Sequence, residues 1–223
     1  MVAINAELLH ELALLYQHGG DGLVTVQAGE AKRSLQVAQG HLVGAESNLK
    51  AERIGDMLAA AGKLDPDLVE RIAAEARSKG RLFGDQLLAD GLLQPTDLAA
   101  ALENQALLRF EHALSMAGKV SVGPKATARP SLRLTVGSLV VAAFRAQLPV
   151  EAIETYTANH RGEPKRLLLT ADGQAALKLL PAELRLCRRL AAQETLRALL
   201  EGLNSTEPVM RFVGALVALE LWA

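Results

Sequence analysis

Residues 52–76 read ERIGDMLAAAGKLDPDLVERIAAEA and residues 80–105 read GRLFGDQLLADGLLQPTDLAAALENQ, and these two copies of one pattern decide the middle of the fold. The repeats proper run over 53–76 and 81–105. In each, a Gly-Asp pair opens a helix (Gly55-Asp56, Gly84-Asp85) and a glycine closes it (Gly62, Gly91). A Leu-x-Pro turn, Leu64-Asp65-Pro66 or Leu93-Gln94-Pro95, then starts a second helix. Proline costs nothing in a first helical turn, where its missing N–H has no intrahelical partner, and glycine takes a left-handed C-cap without strain. Leu68, Ile72 and Ala76 in the first copy, and Leu98, Leu102 and Gln105 in the second, recur at helical spacing. Two helical hairpins are expected side by side, joined by the polar loop Arg77-Ser78-Lys79-Gly80. Helix pairs of this size provide docking surfaces more often than catalytic chemistry.

On the N-terminal side, Ile4, Leu8, Leu9, Leu12, Leu15 and Tyr16 follow the period of an amphipathic helix, which His18-Gly19-Gly20-Asp21-Gly22 breaks. Three short runs follow: Leu23–Val26, Arg33–Val37 and Leu42–Ala45. Turn-formers at Gly29-Glu30 and Gln39-Gly40 separate them, which predicts a β-meander. Beyond the repeats, the helical pattern continues through Leu108, Phe110 and Leu114 to Gly118. A short strand at 119–122, a loop to Pro130 and an apolar helix over 132–147 come next. The polar stretch Ala158 to Pro164 is the expected domain boundary. After it come a short segment near 167–180, a helix from Pro181, one near 193–203, and a last helix from Glu207, capped by Ser205 or Thr206. The fold class is α+β and mostly helical, with one module over 1–157 and a small helical, winged-helix-like unit over 165–223.

Composition narrows the function classes. Half the residues are apolar but only 3% are aromatic, so the core is built from Leu, Ala and Val, which favours helix. A net charge of −1 supplies no global field toward nucleic acid or an anionic membrane. The one cysteine, Cys187, excludes an intramolecular disulfide and fits a reducing compartment. The first residues carry acids rather than the positive charge of a signal peptide. The most apolar run, Val209 to Ala223, is interrupted by Arg211 and Glu220, so no membrane span is expected and a cytoplasmic location is. The five histidines (His10, His18, His41, His112, His160) are scattered without metal-ligand spacing, and no nucleophile elbow, phosphate loop or carboxylate pair stands out. No cofactor is expected, and no enzymatic activity.

The order of helix, meander and helical pairs resembles the PATAN domain of bacterial signalling proteins. The residues that carry the resemblance are Asp21-Gly22-Leu23-Val24-Thr25-Val26, then Ser34-Leu35-Gln36-Val37, then Gly40 through Ser47, and it spans roughly residues 4–145. The tail is similar to the degenerate winged-helix units that follow such domains, with Leu196–Leu203 and Met210–Leu221 matching. The repeats separately resemble the N-terminal domain of type II secretion and pilus ATPases, whose MshE-like branch binds cyclic di-GMP. The first copy supplies Arg53, Ile54, Gly55, Leu58, Gly62, Leu64 and Leu68 but has Ala76 where that pattern has Gln. The second supplies Leu87, Gly91, Leu93, Leu98 and Gln105, with one residue too many between Arg81 and Gly84. An insertion of one residue turns a side chain by about 100° around a helix.

These resemblances imply a non-enzymatic adaptor of bacterial signalling that acts through protein partners in polarity, motility or response-regulator output. Such a partner would be a small GTPase, a response regulator, a motor component or a second copy. The alternative is a cyclic di-GMP sensor using Arg53, Gly55, Leu58, Arg81, Gly84 and Leu87, although the two departures from the pattern predict no appreciable binding. A weaker alternative is a DNA-binding regulator. Eight basic residues against four acids over 161–197 favour it, but the last helix offers Arg211 alone to base edges, so nucleic acid is not the expected partner. That last helix carries Val209, Phe212, Val213, Leu216 and Trp222 over more than one stripe, and so forms either the core of the tail or a docking face.

Overall fold

The structure is a computed structural model that describes residues 4–124, 132–158 and 165–222. Helix α1 (Ala6–Gln17) starts where the Asn5 side chain accepts a hydrogen bond from Leu8 N at 3.0 Å. The same side chain donates to Met116 O at 2.9 Å, so this cap also fixes the helix to the far end of the repeat segment. Leu8, Leu9, Leu12 and Ala13 form its buried stripe.

The meander forms as three antiparallel strands, β1 (Gly22–Ala28), β2 (Ala31–Ala38) and β3 (His41–Ser47). After the repeats, β4 (Lys119–Gly123) pairs with β1, and β5 (Leu134–Thr135) pairs with β3. The sheet order is β4-β1-β2-β3-β5. The alternation of Val24, Val26, Leu35 and Val37 toward the core sets the register, because a one-residue slip would turn each of them to water.

Both repeats fold as helical hairpins, α2 (Ile54–Ala60) with α3 (Pro66–Ser78) and α4 (Phe83–Ala89) with α5 (Pro95–Leu114). Gly62 and Gly91 take φ of +69° and +66° just past the first helix of each pair. The polar connection is shorter than expected, because α3 runs on through Arg77 and Ser78. The Ser78 hydroxyl donates to Glu75 O at 2.8 Å, and Lys79 pairs with Glu75 at 2.5 Å, which carries the helix into the polar residues.

The remaining helices are α6 (Val136–Ala146), α7 (Val150–Thr157), α8 (Ala171–Ala176), α9 (Pro181–Ala191), α10 (Leu196–Leu200) and α11 (Glu207–Ala218). The apolar helix expected from 132 starts at Val136 instead. Leu134 and Thr135 are drawn into the sheet beside Leu42 and His41, and Val136 N donates to Gly40 O at 3.1 Å. Thr206 occupies the N-cap of α11 without a side-chain bond. Arg211 fixes that end, bonding Glu207 and the carbonyls of Phe144 and Leu148 at 2.7–2.8 Å.

Two hydrophobic cores result among the described residues. The larger joins α1, the sheet, the end of α5, α6 and α7 with Cys187, Leu190, Leu196, Leu199 and nearly all of α11. Residues on both sides of the 158–164 stretch therefore share one core; the boundary itself, 159–164, lies outside the described residues. The contact between α11 and its neighbours is close at Gly214, where an added Cβ would meet Ile153 Cγ2 at 2.7 Å and Phe144 Cδ1 at 2.9 Å. The smaller core is the repeat module's own, made of Leu58, Leu64, Val69, Ile72 and Leu87. Among the described residues no single helix is long and apolar enough to cross a membrane. The pair α6 and α7, which passes that test only together, bends by 119° at its break and carries buried residues of the larger core.

Phe212 is 2% exposed within this shared core. Phe212→Ala is expected to destabilise the chain by about 3–5 kcal/mol, the usual cost of emptying a buried phenyl site. In urea unfolding, sheet and helix signals should shift together, as a shared core requires; loss of helix signal alone would mean the tail is a separate unit.

Candidate functional site

The short 3-10 turn Lys50–Glu52 links β3 to the repeats, and Glu52 within it is 3% exposed. A buried carboxylate is tolerated only when paired and hydrogen-bonded. Arg33, on β2 and itself buried, forks onto it through Nε at 3.1 and 3.2 Å and through a terminal nitrogen. His112 Nδ1, from α5, approaches the same carboxylate at 2.7 Å. The Glu52 backbone carbonyl takes two more donors from α5, Gln105 Nε2 and Arg109, each at 2.7 Å. Arg109 also reaches Ala45 O on β3. One residue thus joins strand, turn and the long helix of the second repeat.

Burial alone would raise the Glu52 pKa. The hydrogen bonds from Arg33, His112 and Ser47, with the charge of Arg33, outweigh that and bring it from 4.5 down to about 2.

On the other side of Gln105 and Arg109 lies a cleft of about 420 Å³, lined by the start of α2, one face of α3, the start of α4, and α5. Arg53, Arg77 and Arg109 converge on it, opposed by Asp56 and Glu70, with Ile54, Val69 and Phe83 as its apolar wall. Glu70 is already paired with Lys50 at 3.6 Å. Arg53 and Arg77 are exposed and form no ion pair among the described residues. Gly55 sits where Val69 and the Phe83 ring close in; an added Cβ would lie 2.7 Å from Val69 Cγ1 and 2.9 Å from Phe83 Cζ.

Of the six residues considered for a nucleotide site, only Arg53 and Gly55 line this cleft. Leu58 and Leu87 belong to the small core, Gly84 packs on Leu98, and Arg81 is exposed outside the cleft lining. Gln105, the glutamine of the second copy's pattern, also lines the site, while Arg77, Phe83 and Arg109 line it without being singled out by the motif. Gln105 and Arg109 are four apart on α5, and Ala73 and Arg77 four apart on α3, so helical periodicity held a signal for each pair. The C-terminal residues considered for docking are buried in the core: Val209, Phe212, Val213 and Leu216 of α11, and Trp222 beyond its end, are 0–6% exposed, with α6, α7 and α1 packed against α11. Cys187 is buried, and burial together with Glu183 pushes its thiol up to about 11, the opposite of a reactive thiolate. His10 meets Glu220 at 2.7 Å on the surface, and His160 lies outside the described residues.

No family model, no curated protein and no solved structure matches this chain.

A carboxyl whose pKa falls on folding contributes stability that is complete above its unfolded value and vanishes below its folded one. Glu52 is therefore expected to contribute about 3 kcal/mol at neutral pH, lost as the pH falls from 4.5 toward about 2. Glu52→Gln should be less stable than the wild type at pH 7 and show a flatter stability profile across that acid window in urea titrations. Parallel profiles would mean that Glu52 is not the carboxyl that folding perturbs.

Proposed function

We propose that this chain is a non-enzymatic adaptor of bacterial signalling, acting in the cytoplasm, whose tandem hairpins are its recognition element for a protein partner. The observation that carries the reading is Leu82. It is 75% exposed on a module with its own core, directly before Phe83 of the basic cleft. A large aliphatic side chain left in water next in sequence to a cleft lined by arginines has the makeup of an interface anchor with a polar rim. The partner classes that suit such a module are a response regulator, a small GTPase, a motor component or a second copy of the chain. The PATAN-like order of elements supports the signalling context, and nothing in the α11 surface is needed for it.

Convergence of Arg53, Arg77 and Arg109 favours a second reading, in which the cleft takes cyclic di-GMP. Against it stands Arg81, which the second repeat would have to contribute and which lies outside the cleft lining.

A photo-crosslinking amino acid at position 82, expressed in the native host, separates the two. The adaptor reading expects one recurrent light-dependent protein adduct, with an adduct of twice the chain's mass if the partner is a second copy. No adduct at position 82, together with saturable calorimetric binding of cyclic di-GMP near about 1 μM, would replace it with the second reading.

A further inference from the structure

We propose that the cleft between the hairpins binds a carboxylate-bearing peptide segment of the partner, in which an acidic side chain or C-terminus lies next to an apolar one. This rests on the adaptor reading and specifies its chemistry.

The polar half of the argument is charge. Arg53 and Arg77 are exposed and form no ion pair among the described residues, one at the N-cap of α2 and one near the end of α3, yet both border the same cavity. Arg109 enters the cavity from α5 already oriented, its two terminal nitrogens each spending one N–H on a backbone carbonyl, Ala45 O and Glu52 O. Each terminal nitrogen of a guanidinium carries a second N–H, so a pre-positioned donor remains for an incoming oxygen. Gln105, 7% exposed, donates through Nε2 to Glu52 O and stiffens the same wall. Guanidinium groups match the planar, two-oxygen geometry of a carboxylate better than ammonium groups do, and all three cations of the cleft lining are arginines.

The apolar half decides between a peptide and a nucleotide. Ile54, Val69 and Phe83 form an apolar wall, and exposed Leu82 directly precedes Phe83 in the chain, which suits an aliphatic or aromatic side chain adjoining the acid. Phe83 packs its ring edge against Gly55, where an added Cβ would lie 2.9 Å from its Cζ, so the ring is committed to closing the hairpin and is not a free platform for a base. Asp56 and Glu70 also face the cavity. Two carboxylates in the lining oppose a ligand bearing two phosphodiester charges, whereas a peptide meets such a mixed lining with one carboxylate and its backbone N–H groups. A cleft of about 420 Å³ holds two or three side chains, at the small end of ordinary ligand sites.

The test selects binders from a random-peptide phage library against the full chain, and measures synthetic versions of the selected peptides by fluorescence anisotropy. Expected are peptides enriched in Asp or Glu beside Leu, Ile or Phe, with affinity falling as salt rises. In the double variant Arg53→Gln/Arg77→Gln, binding should weaken at least about tenfold while the thermal midpoint stays put, since both side chains are exposed and form no ion pair among the described residues. Selected peptides without acidic preference, or equal binding by the double variant, would overturn the proposal. So would cyclic di-GMP that binds the chain and displaces the peptides from this cleft. The adaptor reading fails separately. A partner captured through position 82 that binds the double variant as well as wild type sinks the cleft chemistry alone; acidic peptides that bind while position 82 captures nothing sink the adaptor alone.

Discussion

A carboxylate placed out of water has to be answered by donors, and in this chain the arrangement of the middle third follows from how Glu52 is answered. Arg33 comes from β2, His112, Gln105 and Arg109 come from α5, and Glu52 itself sits in the turn that leads into the first repeat. Because the side-chain oxygens and the backbone carbonyl are both engaged, the turn is held in position and direction, and α2 has to leave the sheet along one path. Breaking one partner of a buried pair of this kind typically costs about 3–5 kcal/mol, since the other charge is left stranded. The hairpin module's own core is small, built around Leu58, Leu64, Val69, Ile72 and Leu87. This polar junction, together with the run of α5 into the larger core, is what holds it to the rest.

The same junction builds the back wall of the cleft. Gln105 and Arg109 line the cavity with one face and bond Glu52 O with their donors. Their rotamers are fixed by the fold before any ligand arrives, which removes part of the ordering cost that binding ordinarily carries. Arg53 and Arg77, exposed and without an ion pair among the described residues, add two further guanidinium groups to the lining.

The hairpins were legible because their punctuation is chemical: Gly62 and Gly91 need positive φ, and Pro66 and Pro95 fit only a first turn. The meander was legible from alternation bounded by turn residues. The α7 helix was not, because it is eight residues long and follows α6 after only Gln147, Leu148 and Pro149. Whether α11 is core or docking face could not be read from its pattern, since a helix apolar over most of its circumference is compatible with both. The answer depended on Phe144 and Ile153 arriving at Gly214 from other elements. The Glu52–Arg33 pair joins residues 19 positions apart on a turn and a strand, and no local period encodes it. Half the cleft was visible as the repeat motif; Arg77 was hidden because its polar neighbours read as a loop.

Residues on both sides of the 158–164 stretch share one hydrophobic core, and the hairpins have a smaller one of their own, joined to the sheet at Glu52; stability should be partitioned in the same way. Native-state hydrogen exchange across a denaturant series measures this directly. Amides of β2 and α11 should open with the same free energy and the same denaturant dependence, while those of α2 and α4 should open at lower free energy. Opening of α9 to α11 below and independently of the sheet, with the hairpins protected as strongly as β2, would contradict it.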